Sequence, residues 1–218
     1  KSPGFHAKTQ FTLISLANES PFVFVVPANS KFKSVPDLVA WGKANEGGLT
    51  FASPGLGTTM HIAGEMLQVM AGVKAAHVPY RGGAQSTNDL VAGRVGFMID
   101  SVGAVAGQVE GGQLKVLAVA SGRKLPQFPD APVLSSMYPG LEVSSWLGVV
   151  GPPGMPPDVQ QALVRAVEQA VREPAYVQML EKRGSVVAPS GPDAFARHLA
   201  KERERVERTV VKAGLHLD

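Results

Sequence analysis

A short apolar run, Leu49 to Ala52, ends in the loop Ser53-Pro-Gly-Leu-Gly-Thr-Thr59. The loop opens into an apolar-periodic segment marked by His61, Ile62, Met66, Leu67 and Met70. This is the pattern of a strand, a glycine turn and a helix N-terminus, with Thr58 or Thr59 at the cap. A turn of this kind aims unpaired backbone N–H groups and the positive end of a helix dipole at one spot. That spot suits an anion, as helix N-termini do. It is equally the form of a bare βα turn that needs glycine for a positive φ and holds no ligand. The spacing G-x-G-T-x-x-H is not the dinucleotide fingerprint, because the third glycine is absent and no acidic residue stands in the usual relation to it.

The same succession recurs along the chain. Ala75 to Val78 is a short apolar run, followed by Pro79-Tyr-Arg-Gly-Gly-Ala84 and a helix over about Gln85 to Ala92. Val95 to Ile99 is a buried strand ending at Asp100-Ser101, with a helix over Val102 to Val109. Ser34-Val-Pro-Asp37 starts an earlier helix, with Ser at the cap, Pro in the first turn and an acid at the third position. Upstream, Phe11 to Leu16 and Phe22 to Val26 read as two strands separated by polar Asn18 to Pro21, and Lys1 to Thr9 as a linker. Leu114 to Ala120 is a further strand. Residues 121 to 140 read as loop, Val143 to Val150 as a strand, and the remainder as helices over Asp158 to Val171, Ala175 to Arg183 and Pro192 to Lys212. Alternation of these lengths predicts an α/β architecture with mainly parallel sheets. In such sheets ligands sit beyond the carboxyl ends of the strands. Both glycine loops and Asp100-Ser101 lie at such ends.

Composition removes other classes. The 218 residues are 44% hydrophobic and 18% charged, as in an ordinary globular protein. A net charge of +3 with 6% aromatics does not describe a nucleic-acid surface. There is no cysteine, so disulfides and cysteine metal sites are excluded. His61 and Glu65 stand four apart, but zinc needs at least three protein ligands, and His6, His77, His198 and His216 supply no second helical pair. His61 reads as a capping or buried hydrogen-bonding residue. No nucleophile elbow or phosphate loop occurs, so neither a catalytic residue nor a metal or other cofactor is expected.

Each candidate has a plain reading beside the functional one. Tyr80 and Arg81 beside bare N–H groups suit a carboxylate, and equally are a half-buried tyrosine and a surface arginine. Asp100 either reads a ligand hydroxyl or amine, or caps the next helix. The Lys201-Glu-Arg-Glu-Arg205 run is a solvated face with i,i+4 pairs.

The ordered set Pro21-Phe-Val-Phe-Val-Val-Pro27, Lys33-Ser-Val-Pro-Asp-Leu38, Phe51 to His61, His77-Val-Pro-Tyr-Arg-Gly-Gly-Ala84, Asp89-Leu-Val-Ala-Gly93, Leu114 to Ala120, Trp146-Leu-Gly148, Pro152-Pro-Gly-Met-Pro156 and Val211-Lys-Ala-Gly214 resembles the Bug-type receptors of tripartite tricarboxylate transporters. The resemblance covers nearly the whole chain in order. It implies a type II periplasmic-binding-protein fold: two α/β lobes around a cleft, joined by crossover strands. It also implies an exported, periplasmic solute receptor, its signal peptide outside this chain, that hands a small mono-, di- or tricarboxylate or acidic amino acid to membrane transporter subunits, without nucleic acid. The resemblance further implies ligand contacts from Ser53, Gly55, Gly57, Thr58 and Thr59 as donors, from His61, Tyr80, Gly82, Gly83 and Ala84 as the facing loop and wall, and from Asp100 and Ser101. By the same resemblance residues 1–20 are a residual first-lobe segment and linker, 21–119 the complete second lobe, and 120–218 the return into the first. The family's opening strand, loop and helix are unmatched. An incomplete first lobe with an exposed sheet edge is therefore expected, with a homodimer as one way to cover it. The rival of the same fold is the effector-binding domain of a transcription regulator, which would need a DNA-binding helical segment.

Overall fold

A computed structural model describes residues 10–215; the expected Lys1 to Thr9 linker, His6 and His216 lie outside them. By contact density the chain forms two compact units. One comprises Pro21–Ser145 with a short C-terminal stretch, and the other the N-terminal residues up to Ser20 with Trp146–Glu207.

The strand β1 (Thr12–Pro27) contributes to both. The sequence predicts two strands here, and the structure has one of 16 residues. The polar stretch is not a turn because its side chains find distant partners. Asn18 Nδ2 donates to the Tyr176 hydroxyl at 2.7 Å, and the Ser20 and Ser185 hydroxyls bond at 2.7 Å. Pro21 is tolerated because β1 changes partners there: Glu19 pairs with Val186, whereas Phe22 pairs with Ser101. The missing N–H of proline costs least where a ladder is interrupted.

In the Pro21–Ser145 unit, α1 (Val35–Ala44) is capped as expected. Ser34 Oγ accepts from Asp37 N–H at 3.1 Å, and Asp37 Oδ2 accepts from Lys33 N–H at 3.3 Å. Then come β2 (Thr50–Ser53), α2 (Thr59–Ala71), β3 (Ala76–Pro79), α3 (Gly83–Val91), β4 (Met98–Ser101), α4 (Val102–Glu110) and β5 (Leu114–Val119). β2 and β3 pair in parallel with Phe51 beside His77. A parallel bridge from Phe51 to Phe97 links β2 to the start of β4, and β1 runs antiparallel between β4 and β5. The order is thus β3-β2-β4-β1-β5, with four strands in one direction and β1 reversed. The βα alternation accounts for the parallel set. The reversed strand enters from outside that alternation.

Phe24, Phe51 and Phe97 form a continuous stack through the core, with ring centroids 4.8 and 5.6 Å apart. Val23, Val25, Leu90, Val105, Leu114 and Val119 fill its far side. The sequence ends this unit at Val119, but residues 120–145 fold back onto it. Val119 N–H donates to Pro132 O, Val143 N–H to Ala120 O, and Leu125, Leu134, Leu141 and Val143 are buried. The segment read as loop contains the short α5 (Leu134–Met137).

The second unit holds the first half of β1, most of β6 (Ser144–Gly151), α6 (Pro157–Ala170), α7 (Pro174–Lys182), β7 (Val186–Ser190) and most of α8 (Pro192–Ala213). Both β6 and β7 pair with β1. Gln160 Nε2 donates to Leu13 O at 2.8 Å, and Phe195 meets Trp146 edge-on at 5.8 Å. The sequence reading missed β7, whose Pro189 and brevity hide it.

Candidate carboxylate site at three helix N-termini

The parallel strands β2, β3 and β4 each end by feeding a helix, so α2, α3 and α4 start on the same edge of the sheet. The first-turn N–H groups of an α-helix have no partner within the helix. Here the chain supplies few. Thr58 caps α2 by accepting from His61 N–H at 3.3 Å, which settles which threonine is the cap. Gly82 and Ser101, at the caps of α3 and α4, make no side-chain cap bond. Gly83 and Ala84 thus open α3 with backbone donors and almost no side chain over them.

The loops after β2 and β3 lie together. Tyr80 N–H donates to Ser53 O at 2.9 Å, and a Cβ on Gly55 would stand 3.6 Å from Tyr80 O. Gly55, Gly57 and Gly82 adopt φ of +154°, +73° and +152°, which side-chain-bearing residues avoid. These glycines are required by backbone shape.

Several predicted donors are spent inside the loop. Ser53 is fully buried; its Oγ bonds to Gly55 O at 2.9 Å, accepts from Gly55 N–H at 3.2 Å and meets His77 Nε2 at 2.7 Å. The Thr58 hydroxyl donates to Gly55 O at 2.7 Å, and Gly57 N–H donates to His61 Nδ1 at 3.1 Å. Ser53, Gly55 and Thr58 thus build the loop, while Gly57 and Leu56 form its exposed tip and Thr59 opens α2. The Tyr80 hydroxyl donates to Asp89 Oδ2 at 2.8 Å, and Arg94 pairs with the other Asp89 oxygen at 2.6 Å. These two partners hold the Asp89 carboxyl below its usual range. Arg81 is exposed. Asp100 is 1% exposed and its Oδ1 accepts from Ser101 N–H at 2.6 Å; burial pushes its carboxyl up to about 6. Asp100 is therefore an interior group at the start of α4, with Ser101 half-buried beside it.

His61 is buried and stacks on His77 with centroids 4.0 Å apart. The sequence reading left His77 out of the site. The signal that places it there is the pairing of Thr50–Ser53 with Ala76–Pro79, which sets the His77 ring 4.8 Å from that of Phe51. Separately, a cavity of about 460 Å³ lies between β5 and residues 127–132, with Lys33 and Lys115 in its wall and none of the loop residues.

Residues 3–215 match the model of the tripartite tricarboxylate transporter family receptor. A protein encoded in the tcbD-tcbE intergenic region of Pseudomonas sp. strain P51 is 36% identical over 214 residues, 97% of this chain and 64% of that protein. Among solved structures, R. palustris Rpa4515 with adipate superposes with a TM-score of 0.88 at 28% identity, covering 98% of this chain and 72% of that one. The periplasmic binding protein BugD superposes at 0.83 with 28% identity, over 99% and 73%. The chain spans a little under two thirds of the length of the curated relatives it matches. With the family model spanning nearly the whole chain and the fold shared with these binding proteins, the chain belongs to the tripartite tricarboxylate transporter receptor family.

Proposed function

We propose that this chain carries the ligand-gripping loops of an extracytoplasmic receptor that binds a small carboxylate and delivers it to the membrane subunits of a transporter. The observation that carries the reading is the common edge on which α2, α3 and α4 begin, with Gly82 and Ser101 leaving two of the three N-termini without side-chain caps. Aligned peptide dipoles and first-turn amides favour a negative group there. The amides of Thr59, Gly83 and Ala84 are the foremost donors, and the loops that end in Thr58 and Gly82 give a carboxylate close access to backbone.

The adipate in Rpa4515 points to the same ligand class. The family is one of transporter receptors rather than enzymes. The part-buried hydroxyl–imidazole contact of Ser53 with His77 lies beneath the loop and braces it. The compartment proposed is the periplasm, as for BugD. No helix among the described residues is long and apolar enough to cross a membrane.

A thermal-shift screen over mono-, di- and tricarboxylates and acidic amino acids, followed by calorimetry, tests the reading. A bound carboxylate at about a hundredfold over its Kd stabilises by about 2.7 kcal/mol. Gly57→Asp places a negative side chain at the exposed loop tip and abolishes that shift, whereas Gly57→Asn, which carries the same left-handed backbone strain without the charge, retains part of it. Unchanged affinity in the Asp variant removes the loop from the site.

A further inference from the structure

Two imidazoles meet beneath the Ser53–Thr58 loop, one from the first turn of α2 and one from β3. Their rings stack at 4.0 Å with 24° between planes, and the Phe51 ring lies against both, 4.8 Å from His77 and 6.3 Å from His61. Each ring ties a different point of the loop. His61 Nδ1 accepts from Gly57 N–H at 3.1 Å, and His77 Nε2 bonds with Ser53 Oγ at 2.7 Å.

The Gly57 bond dictates the protonation of His61. A ring nitrogen that accepts an N–H carries a lone pair, so in the neutral ring the proton sits on Nε2. Nε2 faces Glu65 Oε1 at 3.6 Å. A second proton can enter only at Nδ1, where it turns the acceptor into a donor opposed to another donor. Gly57 then loses its tether.

The surroundings limit the pair to one added proton. Two unit charges 4 Å apart repel by about 4 kcal/mol at an effective dielectric of 20. The groups that contact the pair are Glu65 on α2, and Ser53 and the apolar ring of Phe51 on β2. The buried Asp100 of β4 alternates onto the face of Met98, opposite to the face on which Phe97 stacks with Phe51. Glu65 lies against His61 at 3.6 Å, and burial raises its own carboxyl; while that carboxyl stays ionised it favours the added proton on His61 over His77. Burial lowers the pKa of both imidazoles, with His77 at about 4, where burial and then the charge of His61 contribute. At neutral pH both rings are uncharged and the Gly57 tether is closed.

We propose that His61 is the positioning residue of this loop: its neutral ring holds Gly57 in the anion-receiving conformation, and the single proton taken up by the His61–His77 pair in acid unlatches the loop and releases the carboxylate. The proposal rests on the reading of the loop as the carboxylate site.

The test begins without ligand. Long-range ¹H–¹⁵N spectra of the chain show His61 as the Nε2–H tautomer at neutral pH, and the Gly57 amide shift moves with the same midpoint as the His61 ring. His61→Asn supplies a carbonyl acceptor that does not titrate, so Gly57 stays protected and its shift becomes independent of pH. His61→Leu removes the acceptor, and the Gly57 amide exchanges about fivefold faster, the equivalent of one neutral hydrogen bond. If the Leu variant does not fold, the Asn variant carries the test. With adipate and shorter and longer dicarboxylates as probes, and affinity corrected for the measured protonation of each probe, wild-type affinity falls across that midpoint and the Asn variant's does not. A Gly57 amide that ignores the titration of His61, or an affinity that falls equally in the Asn variant, overturns the proposal. A Gly57 amide that follows His61 in a chain that takes up no carboxylate at any pH establishes the tether and removes the carboxylate reading, so the two failures are distinct.

Discussion

Gly64 of α2 lies so close to Phe51 of β2 that a Cβ there would fall 2.1 Å from Phe51 Cε2. The missing side chain lets the helix sit down on the strand, and that contact sets the height of the α2 N-terminus above the loop. Phe51 cannot swing away freely, since Phe97 and His77 stack against it. Gly64→Ala gains helix propensity of about 1 kcal/mol but overpacks the core at a cost of about 1–3 kcal/mol. The expected outcome is a net loss of stability in urea unfolding. A midpoint at or above wild type would mean that the aromatic stack yields.

Ser53 is the hub of the loop, with Gly55 N–H, Gly55 O and His77 Nε2 around one buried hydroxyl. Ser53→Ala leaves buried polar groups without that partner, at about 1–3 kcal/mol. Chemical unfolding at neutral pH should show a loss in this range. A loss within experimental error would mean that the loop is held by Thr58 and His61 alone.

Much of this arrangement is legible in the residues. Ser34 with Asp37, Thr58 before α2 and Gly72 after it act as local caps, and the Gly72 φ of +60° is the left-handed form that its position implies. The βα loops are legible for the same reason, because the glycines that shape them are needed by backbone geometry within a few residues. What the residues conceal depends on distant partners. Asn18 and Ser20 look like turn residues until Tyr176 and Ser185 take their bonds. Val119 looks like the end of a unit until Pro132 O accepts its N–H. His77 becomes part of the loop only through the register of β2 with β3. Tyr80 points to a ligand in sequence, but Asp89, nine residues on, claims its hydroxyl.

Asp100 makes stability depend on pH. Its carboxyl is raised from an ordinary 3.8 to about 6 by burial, with the Ser101 bonds opposing. The folded chain keeps this proton where the unfolded chain has released it. Stability therefore falls as pH rises from about 4 to about 6, and the full cost of about 3 kcal/mol persists above that window. Asp100→Asn retains an oxygen acceptor for Ser101 N–H and carries no charge. Its gain over wild type should be near zero at about pH 3 and grow to roughly that cost by about pH 8. Parallel melting curves across the window would contradict the buried-carboxylate account.

Tyr80 discriminates between scaffold and ligand contact. Its hydroxyl donates to Asp89 at 2.8 Å, and its half-buried ring packs on the cluster around Leu90 and Val95. Tyr80→Phe keeps the ring and cuts only the tie to Asp89. Because that hydroxyl is already committed, the affinity for a carboxylate found by the screen should change by no more than about twofold, less than half a kcal/mol. The melting temperature should fall modestly, as one exposed-side hydrogen bond is lost. Calorimetry showing a loss of about tenfold or more, 1.4 kcal/mol, would mean that the hydroxyl leaves Asp89 for the ligand and that the loop after β3 rearranges on binding.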